Sequence, residues 1–426
     1  MLWKNPFQQT ANYDKVLYWC LLVTLLSLAF SIRFINSISV FILVLLTLVH
    51  PQRGSFIKTA FRNPYFLACI ALFLVKLSGV FYTEHLHESL RQTETKLIWI
   101  AIPFFFSANK VIPSSTVWHL MIGFTIALFS VALYSLLHAF FLYQQLHDNS
   151  VFFYHELVRP VRHHAVVFSF YLFFCIVYWM EEGLLITSNH QQKTFIRILL
   201  LFFFGFIILL ASKLAIVISL LYGLFFGVKF FWKKRFLAFV VLAILGASLL
   251  LAVVKNPIKE RFGDLANGSI SLFKQEKFSP GVYFNGLQFR LLIWRFTYEI
   301  LNENKAWLIG VSTGDAQIEL NKKYVEANLY QGDGVNDKKG YLVYNCHNVF
   351  LQILLESGLV GLVALLSIIT IFIKQAVQRR RRPALIFFLA MLAFCFTESV
   401  LSSQYTILLF MFFPLLSLNA SNDRSA

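Results

Sequence analysis

Apolar residues fall in long runs along this chain, and polar residues are confined to the stretches between them. A membrane-crossing helix needs about 20 mostly apolar residues. Twelve runs approach that length, at 16–33, 37–50, 65–82, 96–112, 117–143, 164–186, 195–211, 213–232, 236–254, 347–373, 384–397 and 403–418. Ser212-Lys213 divides the apolar stretch from Phe195 to Phe230. Thr397-Glu398-Ser399 through Ser402-Ser403-Gln404 divides the last stretch into a hairpin. The pattern predicts an all-α polytopic membrane protein with about twelve transmembrane helices. Residues 1–254 would carry the first nine, 255–346 a large outer loop, and 347–426 the last three with a cytoplasmic tail.

The loop is not featureless. Leu287, Leu291, Trp294, Tyr298 and Leu301 recur at a helical period and predict a helix over Phe284–Glu303. Asp315–Asn328 predicts a second amphipathic helix. Trp307–Gly314 between them is a turn-rich connector, and Gln331–Asp337 is a loop tip. There is no internal repeat. A loop this long inside a compact membrane protein is usually functional.

Composition narrows the class. The chain has 426 residues, of which 58% are hydrophobic and 14% charged. Soluble domains carry roughly a quarter charged residues, so a large soluble core is excluded. The net charge of +16 raises nucleic acid as a partner, and its placement argues against it. Basic residues cluster at Arg53–Arg62, Lys110, Lys193–Arg197, Lys233–Arg235 and Lys374–Arg382, all on one side of a twelve-span topology. This is the positive-inside pattern, with contact to anionic lipid as a secondary effect. Thr83–Thr95, Tyr143–His163 and Lys255–Asn345 fall on the opposite side. Four of the five cysteines lie in apolar helices and only Cys346 is near the outer loop, so no disulfide framework is implied. The first apolar run lacks a small-residue cleavage site and is expected to remain as a helix.

The most informative polar motif lies where the loop meets the tenth span: His347-Asn348, nine residues, then Gly358-Leu359-Val360-Gly361. If a helix begins at His347, then Asn348, Gln352 and Glu356 form one polar stripe entering the membrane. A carboxylate facing lipid is expensive, so the stripe should face a wet cavity. A histidine at its mouth can take a proton from a hydroxyl. The glycines would let another helix approach closely. The plainer alternative is an interfacial histidine and a Glu356 paired with another span.

Arginine presents a donor fork suited to phosphate. Arg290 shares a helix face with Trp294 and is the better candidate; Arg295 shares one with Glu299, and an ion pair would explain it. Lys213 and Lys76 suit an anion, or snorkel at helix ends. Arg159, Arg162, His163 and His164 suit an anionic head group, or form a solvated flank. Glu398 would neutralise one of these cations. There is no phosphate loop, dinucleotide fingerprint or nucleophile elbow. His155-Glu156 has Arg159 where a zinc protease needs its second histidine, and His85-x-His87 places its neighbours in divergent directions.

These residues resemble the O-antigen ligase and polymerase superfamily of bacterial inner-membrane glycan transferases, most strongly from Gln288 to Leu416. His347-Asn348-x9-Gly358-x-x-Gly361 looks like the motif that carries that family's essential histidine. Arg290 followed by Trp294 looks like its R-x-x-x-[LW] element. Trp307-Leu308-Ile309-Gly310, Ser212-Lys213 and Thr397-Glu398-Ser399 resemble its turn, its eighth-span head and its last-hairpin glutamate. Arg159–His164 matches its earlier basic site more loosely.

The resemblance implies transfer of a glycan from undecaprenyl diphosphate to a hydroxyl of lipid A–core, another glycan or a protein, at the periplasmic face and without nucleotide or metal cofactor. It implies His347 as base and Arg290 as catalytic partner, with Lys213, Arg295, Arg159 and Arg162 toward the diphosphate. Asn348, Glu356, Glu398 and His164 would support them. Ligase is favoured over polymerase. A transporter or flippase of the same lipid is the alternative class, although the inverted repeat common in transporters is missing.

Overall fold

The computed structural model describes residues 12–109, 111–230, 275–279, 281–332 and 340–421. The run 236–254, the basic cluster Lys233–Arg235, Lys110 and most of the Gln331–Asp337 loop tip lie outside the described residues. Among the described residues there is no strand, only an isolated parallel bridge between Ile112 and Ala420. Sixteen helices carry the argument: α1 Asn12–Ala29, α2 Arg33–Val49, α3 Arg53–Phe61, α4 Pro64–Ser78, α5 Leu86–Glu94, α6 Ile98–Ala108, α7 Ser114–Leu146, α8 Tyr154–Val158, α9 Ala165–Tyr178, α10 His190–Leu209, α11 Lys213–Phe230, α12 Gly286–Glu303, α13 Ala316–Glu326, α14 Val349–Gln378, α15 Arg382–Cys395 and α16 Gln404–Asn419. A π turn over Trp179–Gly183 prolongs α9 to Ile186.

Among the described residues, five segments are long and apolar enough to cross a membrane: Pro64–Phe81, Ser114–Leu146, Ala165–Ile186, His190–Leu209 and Val349–Gln378. A sixth counts if α2 and α3, bent by 112° at their junction, form one broken span. The remaining predicted spans that are described also coincide with helices. However, α6, α15 and α16 have 11, 14 and 16 residues, short of the usual span. The basic segment Arg53–Arg62, expected as a loop, is helical over most of its length in α3.

The chain divides into two compact units. The first is residues 1–43, 112–266 and 420–426. Every residue of α9 is buried in it, and α7, α10 and α11 pack around that helix. Trp179 donates to the Thr125 hydroxyl at 2.8 Å, tying α9's end to α7.

The second unit is residues 44–111 and 267–419. Here α14 packs on α4, α4 on α6, and α16 on α6 and α15. The insert has its own core, in which Leu292, Ile293 and Phe296 of α12 meet Leu320 and Tyr324 of α13. Leu354 and Leu355 of α14 join the same cluster. Where the reference state is water, each such side chain contributes about 1.5–3 kcal/mol. That burial is what seats the insert on the helix following His347.

Candidate functional site

The site in the second unit starts from a helix cap. Asn285 accepts from the backbone N–H groups of Leu287 and Gln288 at 3.0 and 2.9 Å, and Gln288 returns the favour on the Asn285 N–H at 3.0 Å. This capping box fixes the first turn of α12. Arg290 follows one turn later. Its Nη1 donates to the Gly286 carbonyl at 2.9 Å, its Nε to the Thr397 carbonyl at 3.0 Å, and its Nη2 to Glu398 Oε1 at 2.8 Å. Two of the five guanidinium donors therefore fix the turn after α15, a third returns to the first turn of α12, and two remain.

The other oxygen of Glu398 meets His347 Nδ1 at 2.9 Å. Arg290, Glu398 and His347 thus form a line joining three chain segments. The side chains are 28%, 28% and 22% exposed, so the line is partly desolvated yet open at its histidine end. His347 Nε2 makes no hydrogen bond to the described residues. The carboxylate at Nδ1 favours the proton there, leaving the Nε2 lone pair outward. The carboxylate would also stabilise an imidazolium once formed.

His347 stands before the helix, not in it. Its φ is +45°, uncommon for a side chain with a Cβ. Asn345 Oδ1 accepts from the His347 N–H at 3.1 Å. The preceding residue is gripped on both sides: Gln352 accepts from the Cys346 N–H at 3.1 Å, and the Trp294 indole donates to the Cys346 carbonyl at 3.1 Å. Asn348 is the N-cap of α14, accepting from Leu351 N–H at 3.1 Å and donating to the Phe396 carbonyl at 3.3 Å. The predicted stripe is corrected accordingly. Asn348 has extended backbone and caps the helix, so only Gln352 and Glu356 share a face.

The motif glycines act differently from the close helix contact expected of them. Gly358 interrupts α14 with φ +61° and ψ −162°. Against this break lies a loop, the connector Trp307–Gly310. Trp307 and Leu308 carbonyls accept from the N–H groups of Leu359 and Val360 at 2.8 and 3.2 Å, and Val311 N–H donates to the Leu355 carbonyl at 2.8 Å. A Cβ on Gly358 would lie 2.3 Å from the Leu308 carbonyl, and one on Gly310 (φ +75°) would lie 2.4 Å from Ser357 N. The two sequence elements are one interlocked joint.

Comparison with known proteins now bears on this arrangement. The family described as O-Antigen ligase matches residues 198–366. The match supports the resemblance to the O-antigen ligase superfamily. The match covers less than half of the chain and takes in Lys213, Arg290 and the whole His347–Gly361 motif. It supports a membrane glycan-transfer function of the kind that family carries out. No curated protein matches the chain.

Beyond the residues discussed so far, the second unit holds a buried polar centre. Glu356 pairs with Lys76 of α4, the partner in another span that the plainer reading required. Lys96, which the sequence reading passed over, donates to the Leu401 and Ser402 carbonyls at 3.0 Å each. Its position at the polar edge of an apolar run was the available signal. A cavity of about 20 Å³ lies among Lys76, Lys96, Trp99, Gln352, Glu356 and Ser399. That is room for a water molecule, not a sugar.

Outside the candidate membrane-spanning helices, His85 meets Asp315 at 2.6 Å. Burial raises the Asp315 carboxyl, but hydrogen bonds from His85, Ser312, Thr83 and the Glu84 N–H outweigh it and hold it below the usual carboxylate range. Among the described residues, no cluster of three His, Cys, Asp or Glu side chains is placed to hold a metal.

Arg295 pairs with Glu299 at 3.0 Å and donates to the Gln275 carbonyl at 2.7 Å. Arg159, Arg162, His164 and Lys213 belong to the first unit. Arg159 and Arg162 are exposed, the former paired with Glu156 at 3.2 Å. His164 is exposed and its ring meets His155 at 4.4 Å; Lys213 heads α11. His163 is buried and bonded to the Ala29 carbonyl at 2.8 Å, and burial pushes it down to about 4.

Proposed function

We propose that this protein transfers a glycan from undecaprenyl diphosphate to an acceptor hydroxyl at the periplasmic face of the bacterial inner membrane, with lipid A–core oligosaccharide the favoured acceptor. One observation carries the reading: His347 is oriented by Glu398 at Nδ1 and leaves Nε2 outward. In the proposed reaction Nε2 takes the acceptor proton as the oxygen attacks the anomeric carbon. The bond from that carbon to the diphosphate oxygen breaks, and undecaprenyl diphosphate leaves with the bonding electrons. Attack opposite the leaving group inverts the anomeric centre.

Charge on the departing diphosphate needs fixed positive partners. The two remaining Arg290 donors serve that role, while its Nη2 and Nε hold Glu398 and the Thr397 carbonyl in place. For Arg295, Arg159, Arg162 and Lys213 the reading rests on charge and resemblance, and single alanine substitutions test each. The topology that goes with it has about twelve spans, with 255–346 on the periplasmic side.

The test is glycan transfer by purified protein from a lipid-diphosphate donor. Loss of the base should lower turnover by about 10²–10⁴. His347→Ala that inserts normally yet retains transfer would overturn the proposal.

A further inference from the structure

We propose that Gln352 is a positioning residue for His347, held the right way round by a one-directional hydrogen-bond chain that ends on Lys76. This rests on the reading of His347 as the base. Lys76 is a donor only, and it meets Glu356 Oε2. Glu356 accepts from Lys76 on that oxygen, and its other oxygen accepts from the Gln352 Nε2 donor at 2.6 Å. That contact turns the Gln352 carbonyl oxygen toward the Cys346 N–H, which it accepts at 3.1 Å. Each link fixes the polarity of the next. An amide flipped end for end would set NH₂ against N–H and leave a buried donor unmade.

The consequence falls on the neighbouring residue. Cys346 is fully buried, and its carbonyl is already taken by Trp294. Gripping its N–H as well fixes the peptide plane entering His347. His347 holds φ +45°, a conformation that persists only where surrounding contacts over-determine it. Gln352 is one of those contacts, and Lys76 and Glu356 act through it from within the membrane. None of the three needs to touch substrate.

The chain makes a reciprocal prediction. In Glu356→Gln, Lys76 takes the carbonyl oxygen of residue 356 and its NH₂ faces Gln352, which must flip and present NH₂ to Cys346. In Gln352→Glu, two carboxylates face each other. In the double exchange Gln352→Glu/Glu356→Gln every donor again meets an acceptor. Lys76 donates to the amide oxygen at 356, the amide NH₂ donates to the carboxylate at 352, and that carboxylate accepts from Cys346.

Turnover per folded molecule and donor KM should be measured for both single variants, the double variant and His347→Ala. A displacement of about 1 Å at a reacting group costs on the order of 10² in rate. We expect each single variant to lose roughly that factor with donor KM unchanged, and the double variant to recover to within about tenfold of wild type. Single variants with wild-type turnover, or a double variant no better than its parents, overturn the relay. Should a single variant fail to accumulate, the double variant decides alone: restored accumulation with turnover supports the relay, and a well-folded but inactive protein refutes it. An active His347→Ala protein would instead remove the base reading, so the two failures are told apart.

Discussion

Replacing Gly358 with alanine should pull the insert away from the helix that follows His347. The backbone at this position has φ +61° and ψ −162°, a region essentially reserved for glycine. Forcing alanine into it costs about 1–3 kcal/mol. The new Cβ would also stand 2.3 Å from the Leu308 carbonyl and 2.4 Å from Ile309 N. Those are backbone atoms and cannot rotate aside, so the connector must lift. With it go the three bonds joining Trp307, Leu308 and Val311 to α14. At about 0.5–1.5 kcal/mol each, strain and lost bonds together reach about 2.5–7.5 kcal/mol. That is a large fraction of the 5–15 kcal/mol typical of a folded domain.

The assay combines thermal unfolding in detergent, limited proteolysis of the connector and glycan transfer. We expect a lower melting temperature, faster cleavage near Trp307–Gly310 and reduced transfer in Gly358→Ala. Gly310→Ala attacks the same joint from the other side, so the double variant should lose far less than the sum of the singles. A Gly358→Ala protein that melts and resists protease like the wild type would refute the reasoning. So would strict additivity with Gly310→Ala, because it would mean the two glycines serve separate places.

Two further outcomes follow from individual side chains. Glu398→Gln keeps an oxygen for Arg290 but removes the charge facing His347, and should lower turnover by about 10² or more with little change in donor KM; wild-type turnover would show that His347 is oriented by something else. His163 has a folded value near 4 against about 6.5 in the unfolded chain, so between those values the unfolded state binds a proton that the folded state refuses. Stability should therefore fall as pH drops, by about 1.4 kcal/mol per unit and roughly 3 kcal/mol across the window. Melting from pH 7 to 4.5 reads this directly: His163→Gln should flatten the slope, and an unchanged slope would refute the assignment.

Much of this site is legible in the sequence because membranes make polar residues conspicuous. Arg290, His347, Glu356 and Glu398 all stand out against apolar runs, and the helix over Phe284–Glu303 follows from its period, though not the Asn285 cap that starts it. Pairing is a different matter. The sequence presents Lys76 and Glu356 as two expensive charges and says nothing of their meeting, since that depends on how α4 and α14 pack. Gly358 looks like an invitation to a neighbouring helix; its left-handed backbone follows from the connector seated against it. Asn348 reads as the first residue of a polar stripe because cap and first turn differ only in backbone angles. Lys96 was missed because one lysine at the edge of an apolar run resembles an ordinary interfacial residue.

The spacing inside the motif has a geometric cause. Asn348 caps α14 and Gly358 breaks it, and the ten-residue step between them corresponds to about 15 Å of helix. The insert holds that segment at both ends, through Trp294 and Arg290 near His347 and through Trp307 and Leu308 at the break. Because α12 and the connector share one core, the two grips sit at a fixed separation. One residue more or fewer in the x9 stretch would shift one grip by about 1.5 Å along the helix and turn it by about 100° relative to the other. Either His347 would lose Glu398 or Gly358 would lose the connector. Length and rotational phase are therefore set together, and the histidine's orientation depends on a glycine three turns away.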